Sequence, residues 1–99
     1  MRKKISKAEA RKRLAIGVHF TGEYIGKVNL SRSTSGLRVC RRKVVKQNTK
    51  EMECQFVSGP KNGMYSFVAW KETEVYQEDD ALILTLVDGE PFLRIRFTD

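Results

Sequence analysis

The sequence predicts a mainly β protein: a small antiparallel β-barrel, OB-like or SH3-like, preceded by a short N-terminal helix or basic arm. Three observations carry this expectation. Short runs of alternating apolar and polar residues recur roughly every 8–12 residues, with turn-forming clusters between them. Asp88-Gly89 stands between two such runs, the signature of a tight hairpin. A chain of 99 residues leaves few strands for two complete sheets, which favours one closed sheet over a sandwich. The expected division is a basic arm over residues 1–13 and a single β domain over residues 14–99.

The elements follow in order. In MRKKISKAEARKR, Ser6 is placed to cap a short helix and Glu9 stands three residues later, as in a capping box. The run LAIGVHF alternates, with Leu14, Ile16, Val18 and Phe20 on one face, and reads as a strand over residues 14–20. Thr21-Gly22 reads as a turn into a second strand over about residues 23–30, in which Gly26 marks a bulge or a close backbone approach. Residues Ser31–Gly36 form a polar loop. The next strand, 37–46, begins by alternating, but Arg41 and Lys43 then occupy the Leu37 face. A bulge near Arg41-Arg42 is expected to restore the phase and to splay cations outward.

The second half is acidic and more apolar. Met52, Cys54 and Phe56 share one face of a strand over 51–57 with Glu51, Glu53 and Gln55 opposite, and the cluster Ser58–Gly63 is a turn. Residues 64–72 put Tyr65, Phe67, Ala69 and Lys71 on one face with Ser66, Val68 and Trp70 on the other, so one aromatic set is core and the other is a candidate surface set. Residues 73–77 extend past a bend, and Glu78-Asp79-Asp80 is an acidic turn. The hairpin register about Asp88-Gly89 pairs Leu84 with Leu93, Leu82 with Ile95, Ile83 with Arg94 and Thr85 with Phe92. Its apolar face belongs to the core.

Charge is distributed unevenly. Residues 1–50 hold 15 Lys/Arg and two acids, Glu9 and Glu23; residues 51–99 hold four Lys/Arg and ten acids. The formal net charge of +7 is thus the difference between +13 and −6. Such asymmetry predicts a positive surface facing a phosphate-rich partner, unless the halves interleave and pair off. The candidate nucleic-acid contacts are Lys3, Lys4, Arg11, Arg13, Arg32, Arg38, Arg41, Arg42, Lys43 and Lys46 for phosphates, with Tyr65 or Trp70 stacking a base. Arg41 and Arg42, where the alternation breaks, are the leading pair. The expected partner is DNA or RNA. A regulatory or protein-interaction module that docks an acidic partner protein is the alternative, and open strand edges are compatible with a homodimer.

Asn29-x-Ser31 followed by Gly36, after the basic Arg11-Lys12-Arg13, is similar to the pattern of PilZ domains, small β-barrels that bind cyclic diguanylate. Those domains carry R-x-x-x-R and then [DN]-x-S-x-x-G. Here no two arginines of the arm are four apart, and the glycine comes two residues later. The resemblance implies cyclic-dinucleotide binding as a minor alternative.

Other classes are disfavoured. The chain has one histidine, His19, and no G-x-S-x-G, H-E-x-x-H or C-x-x-C, so neither enzyme chemistry nor a cofactor is expected. Cys40 and Cys54 read as free thiols, and two cysteines with one histidine do not make a zinc site. No apolar run has the length of a membrane span, and no apolar segment follows the charged N-terminus. The expected location is intracellular and cytoplasmic, or with the nucleoid or nucleus.

Overall fold

The computed structural model describes residues 2–26 and 38–98. Along them run β1 (Arg2–Ile5), α1 (Lys7–Arg13), β2 (His19–Tyr24), β3 (Val39–Gln47), β4 (Glu51–Phe56), β5 (Tyr65–Ala69), a 3-10 turn (Trp70–Glu72), β6 (Thr73–Glu78), β7 (Ala81–Leu86) and β8 (Pro91–Phe97). The strands form one antiparallel sheet in the order β1-β6-β7-β8-β2-β3-β4-β5. The fold is therefore mainly β with one helix. The ladder starts at β1 and ends at β5, and no pairing joins those edges among the described residues.

The N-terminal segment forms the expected helix and an unexpected strand. Ser6 has an extended backbone and its Oγ accepts from the Glu9 N–H, which satisfies an otherwise orphaned donor. Arg11, Lys12 and Arg13 occupy the last turn, where cations favour the helix dipole. Ahead of the cap, residues 2–5 pair with β6. A four-residue basic strand has no stability alone; it forms because β6 offers an unpaired edge. Ala10 and the C-cap residue Leu14 are fully buried, so the helix is tied to the core. Ser6→Ala is expected to lower stability by about 1 kcal/mol, or roughly 4–8 °C in Tm. Thermal unfolding followed by circular dichroism checks this, and an unchanged Tm would remove the cap's role.

Three sequence expectations are corrected around β2. The strand expected over 14–20 starts only at His19, because Val18 N–H donates to the Ala15 carbonyl and closes a turn. Ile16 stands exposed as a result, despite its alternating position. Thr21-Gly22 lies within β2 rather than in a turn. Gly26 does mark a close approach: its φ is +79°, and a Cβ there would run into the Pro91 carbonyl. The remainder of the second expected strand and the Ser31–Gly36 loop, including Arg32, lie outside the described residues, as do Asn29 and Leu37.

The long hairpin is as expected at its centre and different at its tip. Leu82 faces Ile95, Ile83 faces Arg94, and Leu84 faces Leu93. Thr85 faces Pro91 instead of Phe92, with the register shifting between Leu84 and Thr85. Leu86 N–H donates to the Glu90 carbonyl, and Gly89 N–H to the Leu86 carbonyl. The connection is thus a three-residue loop closed by Gly89 at φ +95°, not a two-residue type I′ turn.

The inner face carries the core: Phe20, Val44, Met52, Cys54, Val68, Val75, Leu82, Leu84, Leu93 and Ile95, closed at one end by Leu14 and Trp70. Trp70 Nε1 donates to Gln47 Oε1 at 2.7 Å, and Gln47 Nε2 donates to the Leu14 carbonyl at 2.8 Å. One glutamine thereby joins the 3-10 turn, β3 and the helix end. Cys40 and Cys54 are buried and form no disulfide, and burial pushes the Cys54 thiol up to about 12. No described helix is long and apolar enough to cross a membrane.

Candidate functional site

The two faces of β3 separate its cations. Arg42 lies in register between Phe20 and Phe56, and it alternates inward with Cys40 and Val44. The β3 bulge falls between Val44 and Lys46, not at Arg41-Arg42 as the alternation suggested. Because the phase is unbroken through residue 44, Arg42 is carried into the interior while Arg41 and Lys43 point outward. The pairing with β4 decides this, since Cys54 must face Val44 for both to reach the core.

The outward face gathers a cluster of cations. Cross-strand register aligns Arg41 with Thr21 and Thr21 with Arg96. The next row aligns His19, Lys43, Gln55 and Tyr65. Glu23 is a half-buried carboxylate that draws three arginines together: Arg94 Nη1 at 2.9 Å, with Arg96 and Arg38 nitrogens each at 3.6 Å. Glu51 and Glu53 of β4 share this face and Glu51 pairs with Lys46, so the excess of positive charge lies at Arg41 and Lys43. Arg41 and Lys43 make no ion pair among the described residues. Beside them, on the edge strand β5, Tyr65 and Phe67 are 52% and 64% exposed. At a strand spacing of about 4.8 Å, Tyr65 stands roughly 10 Å from Lys43 across β4.

Several expected contacts lie elsewhere. Lys3 and Lys4 are on β1, separated from β3 by four strands of the ladder. Arg11 and Arg13 are on α1, beside β6 rather than β3. Lys4 pairs with Glu74, Arg13 with Glu9, and Lys46 with Glu51, whose carboxylate raises the Lys46 ammonium. Arg2, on the same edge strand, holds the Glu78 carboxyl below its usual range. The acidic half thus interleaves with the basic one and neutralises part of it. The arm and β3 do not form one continuous basic strip along the sheet. Trp70 is 1% exposed and committed to Gln47, which removes it from base stacking. Arg42 is buried, which removes it from a surface phosphate track. Conversely, Arg94, Arg96 and Phe67 join the outward patch from the acidic half. Their signal was in the alternation of β5 and β8, which places them opposite the core face.

Inside, Arg42 is 2% exposed. Its Nη1 donates to Ser66 Oγ at 3.2 Å. Its Nε and Nη2 are buried with no hydrogen-bond partner among the described residues. The guanidinium carbon lies 4.7 Å from the Tyr24 ring centroid and 4.5 Å from that of Phe56. Gly22 leaves room for this side chain, since a Cβ there would approach Nε to 2.9 Å. Two rings at such range contribute on the order of 1–4 kcal/mol together, against a desolvation cost of several kcal/mol for an unpaired ion. Arg42 forms part of the wall of a cavity of about 620 Å3, with Phe56, Val68 and Leu93 as apolar walls and Lys61 at its rim. Comparison with protein-family models, with curated proteins and with solved structures finds no match for this chain.

Proposed function

We propose that this protein binds nucleic acid, DNA or RNA, on the outward face of β2–β5 and β8. Arg38, Arg41, Lys43 and Arg96 neutralise backbone phosphates, and Tyr65 and Phe67 stack bases. The observation that carries the reading is the exposed Tyr65 ring on the strand edge, in one cross-strand row with Lys43 and near Arg41, two cations with no ion pair among the described residues. Exposed rings next to cations favour a single strand, whose bases are free to stack. In this reading the sheet works as an OB-like or SH3-like barrel wall does, with one face packed and the other meeting the ligand.

Neutralising about four phosphates of a single strand gives a log–log salt slope of roughly −3. Fluorescence anisotropy with single- and double-stranded DNA and RNA, taken across salt concentrations, is expected to show that dependence. The double variant Arg41→Ala/Lys43→Ala is expected to weaken binding and reduce the slope by roughly 1.4. Tyr65→Ala is expected to weaken single-strand binding by about 1–3 kcal/mol without lowering Tm. Absent or salt-independent binding would end this reading and leave the same face to an acidic protein partner.

A further inference from the structure

We propose that the cavity walled by Arg42 is a binding site for a small organic anion, a carboxylate or phosphate carried on a planar, apolar body. Its charged group is distinct from the nucleic-acid contacts, because Arg42 faces away from the Arg41–Lys43 patch, although the Tyr65 and Phe67 rings line this cavity as well. A guanidinium does not shed its proton at any ordinary pH, so burial cannot neutralise it. Interior arginines therefore require a counter-charge or a complete set of acceptors. Even Arg94, half-buried on the outward face, has one in Glu23 at 2.9 Å. Among the described residues Arg42 has only a neutral hydroxyl, Ser66 Oγ, on Nη1, and Nε and Nη2, closed to solvent beside Gly22, have no acceptor. These two nitrogens share one edge of the guanidinium fork, the edge that receives both oxygens of a carboxylate or phosphate side by side.

The surroundings select the rest of the ligand. Among the described residues no Asp or Glu lines the cavity, and the second cation, Lys61, stands exposed at the rim with no ion pair. The field in the cavity is thus positive without an internal anion to cancel it. The walls at Phe56, Val68 and Leu93 are apolar. A volume of about 620 Å3 is in the range that takes a whole small molecule. A free inorganic ion would leave those walls unfilled, so the apolar body contributes to affinity beyond the head group.

The test titrates the full chain with 1-naphthoate, 1-naphthyl phosphate, the neutral 2-naphthalenemethanol and inorganic phosphate, by calorimetry and by amide chemical shifts. At least one naphthyl anion is expected to bind one-to-one, at least ten-fold tighter than the neutral alcohol and than inorganic phosphate. Whichever anion binds identifies the head group. The shifts are expected at Gly22, Ser66 and Leu93. Arg42→Met is expected to lose that affinity at least ten-fold while its Tm stays level or rises, since the variant no longer buries unpaired donors. Arg41→Ala is expected to leave anion affinity unchanged, and Arg42→Met to leave oligonucleotide affinity unchanged, which separates the two charged contacts although the Tyr65 and Phe67 rings are common to both sites. The proposal is overturned if neither anion binds at millimolar concentration, or if the neutral alcohol binds as well. Shifts confined to residues outside the cavity also overturn it, and that readout needs no variant to fold.

Discussion

Leu84→Asp is expected to leave the chain unfolded under native conditions. Leu84 is fully buried, flanked in register by Val75 on β6 and Leu93 on β8. Truncating a buried leucine costs about 2–5 kcal/mol through lost transfer energy and the cavity left behind. A carboxylate at that point adds the cost of an unpaired polar group, since the neighbouring side chains are aliphatic and the backbone groups of the three strands are committed to the ladder. The sum approaches or exceeds the roughly 5–15 kcal/mol by which a domain of this kind is stable. Circular dichroism and the amide spectrum would show the loss directly. A soluble variant that melts within a few degrees of the parent would disprove the central hairpin register.

Trp70→Ala is expected to destabilise the domain by about 3–5 kcal/mol from the removed ring alone. It also strips Gln47 of the donor on its Oε1 and loosens the junction with Leu14. Trp70→Phe keeps most of the volume and isolates the hydrogen bond, so about 1–3 kcal/mol is expected for it. Urea unfolding followed by far-ultraviolet circular dichroism is the suitable measurement, because Trp70 is the one tryptophan of the chain and its removal silences fluorescence. In the parent, Trp70 emission is expected to be blue-shifted and unaffected by added oligonucleotide. Direct quenching by a bound base would contradict its burial. Tyr65→Ala, with its ring half in solvent, is the matched control for a stacking residue that carries no stability.

The contrast between Tyr65 and Trp70 shows how far the sequence reaches. Both follow the same local pattern, and alternation alone assigns them to opposite faces. Which face is solvent depends on what lies across from each. Gln47, Leu14 and the 3-10 turn enclose Trp70. Tyr65 sits on the final strand of the ladder with Gln55 as its cross-strand partner. The same limit applies to the charges. The asymmetry between the halves is plain in the sequence. That Glu23 draws in Arg94 and Arg96, or that Glu74 and Glu78 meet the N-terminal strand, follows from strand order.

Local chemistry was sufficient for the Ser6 cap, the inward set Met52, Cys54 and Phe56, the Gly26 approach and the 82–84 to 93–95 register. Each depends on a period of two, one side-chain oxygen or one missing Cβ, all readable over a few residues. The tertiary structure alone decided where the β3 bulge falls, and therefore which way Arg42 points. A bulge is placed by the partner strand: Val44 is held opposite Cys54, and the extra residue is expelled after it. The aromatic rings beside the guanidinium come from β2 and β4, and the hydroxyl it donates to comes from β5. An arginine that in sequence belongs to a basic run becomes, through pairing across four strands, the one buried cation among the described residues.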